Sequence, residues 1–163
     1  MCKKSQCALA ASIACGLTCP VCAGEKLQFS SMVFGTSQTE TRLQLGGSDS
    51  YATFSSDELV ISVDIPDSHP LQNLSGKCLG VAEKVGGSLK AGGHCTYSNP
   101  AGGEFALSYV VDPSLKPEWA GTFEMTGIKG NATGWKANCK WRAPAEYPGQ
   151  RYLTRWSCSA EKS

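Results

Sequence analysis

The chain has 163 residues, with 15 Lys and Arg against 14 Asp and Glu, and nine cysteines. That length suits one domain. The near-neutral balance leaves no electrostatic footprint for nucleic acid or an anionic lipid surface, so neither is expected as a partner.

The first stretch reads as a leader. Lys3 and Lys4 precede the apolar run ALAASIACGLTC at 8–19, and VCA at 21–23 carries the small residues a signal peptidase accepts. Residues 1–23 are therefore expected to be a signal peptide cut near Ala23–Gly24, and residues 24–163 a single β-barrel domain. The apolar run is shorter than the roughly 20 residues that span a bilayer. The leader would remove Cys2, Cys7, Cys15, Cys19 and Cys22 with both lysines, leaving 13 basic against 14 acidic residues. The expected location is periplasmic or extracellular, the chemistry of which favours disulfides among the four remaining cysteines, Cys78, Cys95, Cys139 and Cys158.

From residue 24 onward there is almost no helical periodicity. Short alternating runs are separated by Gly, Pro, Ser and Asn, the pattern of an all-β antiparallel barrel or sandwich. In chain order the strand candidates are 26–34, 39–45, 58–65, 77–85, 88–97, 104–111, 121–127, 133–142 and 150–159. Within 58–65, Leu59, Ile61, Val63 and Ile65 share one face. Phe105, Leu107, Tyr109 and Val111 do the same in 104–111, and Phe123 and Met125 in 121–127. The turns fall at Gly46-Gly47, Gly86-Gly87, Asn99 to Gly103 and Pro148-Gly149, and 65–76 is the expected long loop. The class is an antiparallel β-barrel of about eight strands, stapled by disulfides.

Turn geometry predicts the staples. A two-residue Gly86-Gly87 hairpin loop uses positive φ, which glycine supplies freely. It places Val85 opposite Ser88, Glu83 opposite Lys90 and Cys78 opposite Cys95. Counting outward, Cys78 and Cys95 form a non-hydrogen-bonded pair, where side chains are closest. A two-residue Pro148-Gly149 loop places Cys139 opposite Cys158 and Trp141 opposite Trp156. Ideal alternation makes 139/158 a hydrogen-bonded pair, and Pro144 interrupts that ladder, so the register there stays open. A metal reading of these cysteines finds no C-x-x-C in residues 24–163, and no metal is expected.

The stretch GKCLGVAEKVGGSLKAGGHCTYSNPAGGEFALSY, followed by WAGTFEMTGIKGNATGWKANCKW, resembles small exported bacterial proteins with an allene oxide cyclase-like barrel. The matching positions are Cys78 and Gly80, Gly93 and Cys95, the Asn99–Gly103 turn, and Gly121, Thr122, Gly127, Gly130 and Gly134. The turn after Cys95 departs from the pattern, since SNPAGGE lacks the family's acidic run. The resemblance implies an eight-stranded barrel with a pocket. It carries over no catalytic residue.

A barrel of about eight strands encloses either its own side chains or one small ligand. Tyr97, Tyr109, Trp119 and Trp135 are the candidate ligand-binding residues, while Trp141 and Trp156 are explained as a cross-strand pair. Glu104 and Glu124 are expected in solvent if the apolar face packs inward. Asn73 and Asn131 head glycosylation sequons that bear only on a eukaryotic source. No nucleophile elbow, P-loop or metal-binding helix motif is present, and no cofactor is expected. Three functions stay open: an exported barrel that binds a small apolar ligand or a protein partner, a cofactor-free cyclase or isomerase, and a structural envelope protein with a filled barrel.

Overall fold

The computed structural model describes residues 24–115 and 119–163. The expected leader lies outside the described residues. Eight strands run in order: β1 (Lys26–Gly46), β2 (Asp49–Val63), β3 (Leu74–Val85), β4 (Ser88–Ser98), β5 (Glu104–Val111), β6 (Trp119–Lys129), β7 (Trp135–Tyr147) and β8 (Arg151–Lys162). Each pairs antiparallel with the next, and β8 pairs back onto β1, so the sheet is a closed barrel without edges. No helix among the described residues is long and apolar enough to cross a membrane.

Two of the nine expected strands are one. The runs 26–34 and 39–45 join in β1, and β2 begins at Asp49 rather than at residue 58. Both expected disulfides form, Cys78–Cys95 and Cys139–Cys158. The Gly86-Gly87 loop behaves as its sequence implies, with φ of 56° and 79° and with Val85 opposite Ser88. At the other hairpin the loop has one residue more than expected. Tyr147 faces Arg151, and Gly149 and Gln150 both take positive φ. A bulge then sets Ala143 and Pro144 together against Thr154, which restores Cys139 opposite Cys158 and Trp141 opposite Trp156. The extra residue also shifts the alternation by one. The Cα atoms of Cys139 and Cys158 stand 4.1 Å apart, the spacing of a non-hydrogen-bonded pair rather than the expected hydrogen-bonded one.

The apolar alternation does not always point inward. Phe105, Leu107, Phe123 and Met125 are buried, and Glu124 is exposed, as antiparallel patterning predicts. Glu104 pairs with Lys129 at the surface. In β2 the apolar side faces out. Leu59, Ile61 and Val63, with Phe34 and Met32 opposite them on β1, are 37–48% exposed, while Ser56, Val60 and Ser62 are buried.

One end of the barrel is packed shut. Trp135, Leu71, Leu74, Phe105 and Met125 fill it. The 64–73 loop folds across this end. The Gln72 side chain pairs with the Ser62 backbone, donating to its carbonyl at 2.7 Å and accepting from its N–H at 2.9 Å. Asn99 ties three loops together. Its Oδ1 accepts from the N–H groups of Ala101 and Gly103, and its Nδ2 donates to Pro70 O and Asn131 Oδ1. His69 lies edge-on to Trp135 at 4.7 Å, and its Nδ1 accepts from the Leu71 N–H.

Candidate functional site

The other half of the barrel is hollow. A cavity of about 560 Å³ runs from the Cys78–Cys95 disulfide, Leu107 and Phe123 to exposed residues at the hairpin end, including Arg42, Tyr147 and Gln150. This volume is in the range of ligand sites.

The register explains how space and aromatic rings coexist there. One row across the barrel reads Tyr152 on β8, Gly35 on β1, Glu58 on β2, Gly76 on β3 and Tyr97 on β4. A glycine thus flanks Glu58 on each side. The Tyr152 ring occupies the room a Cβ at Gly35 would need, and the Tyr97 ring does the same at Gly76. Both tyrosines lean over these glycines toward one carboxylate. Tyr97 donates its hydroxyl to Glu58 Oε2, Tyr152 donates to Oε1, and Ser56 Oγ donates to Oε1 at 3.2 Å. A parallel row reads Phe54, Gly80, Gly93 and Tyr109, where the Phe54 and Tyr109 rings cover Gly80. Gly80 and Gly93 are two of the glycines in the matched C-x-G and G-x-C stretches; Gly80 makes room for the two aromatic side chains, and a Cβ at Gly93 would first meet the Leu79 carbonyl.

The tyrosines keep their protons. Burial first, then the charge of Glu58, holds the Tyr97, Tyr109 and Tyr152 phenols well above their ordinary value of 10.0. Above this cluster Tyr109 meets Trp141 edge-on at 6.2 Å, and the Trp141 indole donates to Val110 O at 3.3 Å. Below it Trp156 meets Tyr97 and Phe123 edge-on at 5.8 and 4.6 Å. The chemistry available is an apolar, aromatic chamber with one carboxylate acceptor set in its wall.

Of the four aromatic candidates, Tyr97, Tyr109 and Trp119 line the cavity. Trp135 does not; it fills the closed end at 2% exposure. Trp141 and Trp156 are the expected cross-strand pair, and both also line the cavity. Glu58, Ser56 and Phe54 were not signalled by the sequence pattern. The inward side of β2 mixes Ser, Glu and Val, so no apolar alternation marks it. Among the described residues, no three His, Cys, Asp or Glu side chains gather as a metal-binding group.

No family model matches the chain, and no curated protein matches it. Among solved structures, the chain is similar to a pterocarpan synthase dirigent protein, with a TM-score of 0.50 and 11% sequence identity. The likeness covers 85% of this chain and 92% of that one. At this identity the comparison speaks to the fold, a barrel of the kind the allene oxide cyclase-like resemblance implies.

Proposed function

We propose that this protein is exported and that its barrel binds a small, largely apolar ligand in the chamber around Glu58. The observation that carries this reading is the cavity of about 560 Å³, walled by aromatic rings that lie over glycines. A structural protein with a filled barrel would place its own side chains in this hollow. Export is supported by the leader pattern at residues 1–23 and by two disulfides, which persist in oxidising compartments. The dirigent protein's fold is compatible with a barrel that holds a guest. Native mass spectrometry of the protein isolated from its own host is expected to show a bound small molecule. Ala82→Phe, which places a ring in the cavity, is expected to shed it. A bare chain mass in the wild-type protein contradicts the reading.

A second reading is a cofactor-free cyclase or isomerase. The contact between Glu58 and two protonated tyrosines favours it, since a carboxylate base beside phenol donors can relay a proton to a held substrate. Conversion of the retained molecule to an isomer, abolished in Glu58→Gln, separates this reading from simple binding.

A further inference from the structure

We infer that the guest is an organic cation, an apolar or aromatic body carrying a protonated amine that seats against Glu58. This deepens the binding reading above and rests on it. Glu58 is half-buried in the chamber wall, and a charge drawn partly out of water is stabilised by a partner. Among the described residues Glu58 has no Lys, Arg or His partner; its contacts are the hydroxyls of Tyr97, Tyr152 and Ser56. Those hydroxyls satisfy lone pairs but leave the negative charge in place. A carboxylate offers about four acceptor positions. Side chains of this chain take three, two of them on Oε1, so the position left for a guest lies on Oε2.

The surroundings suit the same guest. Phe54, Tyr97, Tyr109, Tyr152, Trp141 and Trp156 present rings to the chamber. Aromatic faces attract cations, Trp most strongly, and the attraction grows when water is excluded. An alcohol or phenol would donate to Oε2 without meeting the charge. An anion would meet repulsion at the chamber wall. The rim carries Arg42, Glu146 and Arg151, all exposed, and the Arg151 side chain donates to Pro148 O at 3.0 Å. These rim charges sit in water, where salt screens them.

Three probes that share one naphthyl body test the assignment: 1-naphthylmethylamine, 1-naphthalenemethanol and 1-naphthaleneacetate. Each is titrated calorimetrically at pH 7 into the protein with its disulfides intact. The amine is expected to bind about tenfold or more tighter than the alcohol, as a charged hydrogen bond outweighs a neutral one, and the acetate weakest. Glu58→Gln is expected to weaken the amine most and to bring it within about twofold of the alcohol. The wild-type ranking decides the matter even if that variant fails to fold. Equal affinities, or the acetate binding tightest, overturn the cation and leave the cavity reading standing. No binding of any probe overturns both.

Discussion

The two ends of this barrel are built on the same alternation and reach opposite results. At the closed end the inward positions carry Trp135, Leu74, Phe105 and Met125, all buried in one core cluster. At the hairpin end the inward rows set aromatic residues beside Gly35, Gly76, Gly80 and Gly93, and a cavity remains between the walls. The difference lies in where the volume sits. Large side chains in every strand fill a barrel; large side chains set beside glycines line it.

The sharpest way to break this comparison is to remove one ring from each end. Trp135→Ala is expected to cost about 3–5 kcal/mol, because it opens a void among fully packed neighbours. Tyr109→Ala only enlarges an existing hollow and is expected to cost less than half as much. Urea unfolding with intact disulfides measures both, and equal losses would erase the distinction between packed and lined ends.

A smaller effect separates the two glycines beside Glu58. A methyl at Gly76 meets the Thr96 carbonyl as well as the Tyr97 ring, whereas at Gly35 the nearest atoms all belong to the Tyr152 ring. Gly76→Ala is expected to cost about 1–3 kcal/mol through backbone strain. Gly35→Ala is expected to stay within about 1 kcal/mol, since the ring can swing aside and alanine gains back chain entropy. Urea midpoints for the two variants give the order; a reversed order would mean that the rings are not resting on the glycines.

The smallest expected effect sharpens the account of the closed end. Burial lowers the pKa of His69 from its ordinary 6.5, with Lys162 adding to the lowering and Glu25 opposing it. The neutral ring is the form whose Nδ1 accepts from Leu71. Below pH 6.5 the unfolded chain takes up a proton that the folded chain resists. This share of stability is therefore present above pH 6.5 and lost as pH falls through the lowered folded value. Unfolding midpoints at pH 7.5 and 5.5 are expected to differ less in His69→Gln than in the wild type, and an equal difference in both would remove His69 as the cause.

How much of this was legible follows from the same contrast. The Cys78–Cys95 pairing could be counted from Gly86-Gly87 because a two-residue loop leaves one register. The Cys139–Cys158 pairing could be counted too, yet through two offsetting features, a longer loop and a bulge at Ala143-Pro144, of which Pro144 was the only visible sign. The start of β2 was illegible because its inward residues face a chamber instead of a core. Ser56 and Glu58 look like surface residues, while Leu59, Ile61 and Val63 look like core and stand outside. Tyr97, Tyr109 and Trp119 could be named as aromatics that line a pocket, and Trp135 could not be told apart from them, since sequence records ring type and not height along the axis.

The closed circuit of strands has a consequence for how any guest is accommodated. With β8 joined to β1, no seam exists along which the wall could part, and the cylinder's girth is set by its hydrogen bonds. Adjustment to the shape of a guest then falls to the rings that overlie Gly35, Gly76 and Gly80. They are upholstery on a rigid frame, and the glycines beneath them decide how far each can be pressed.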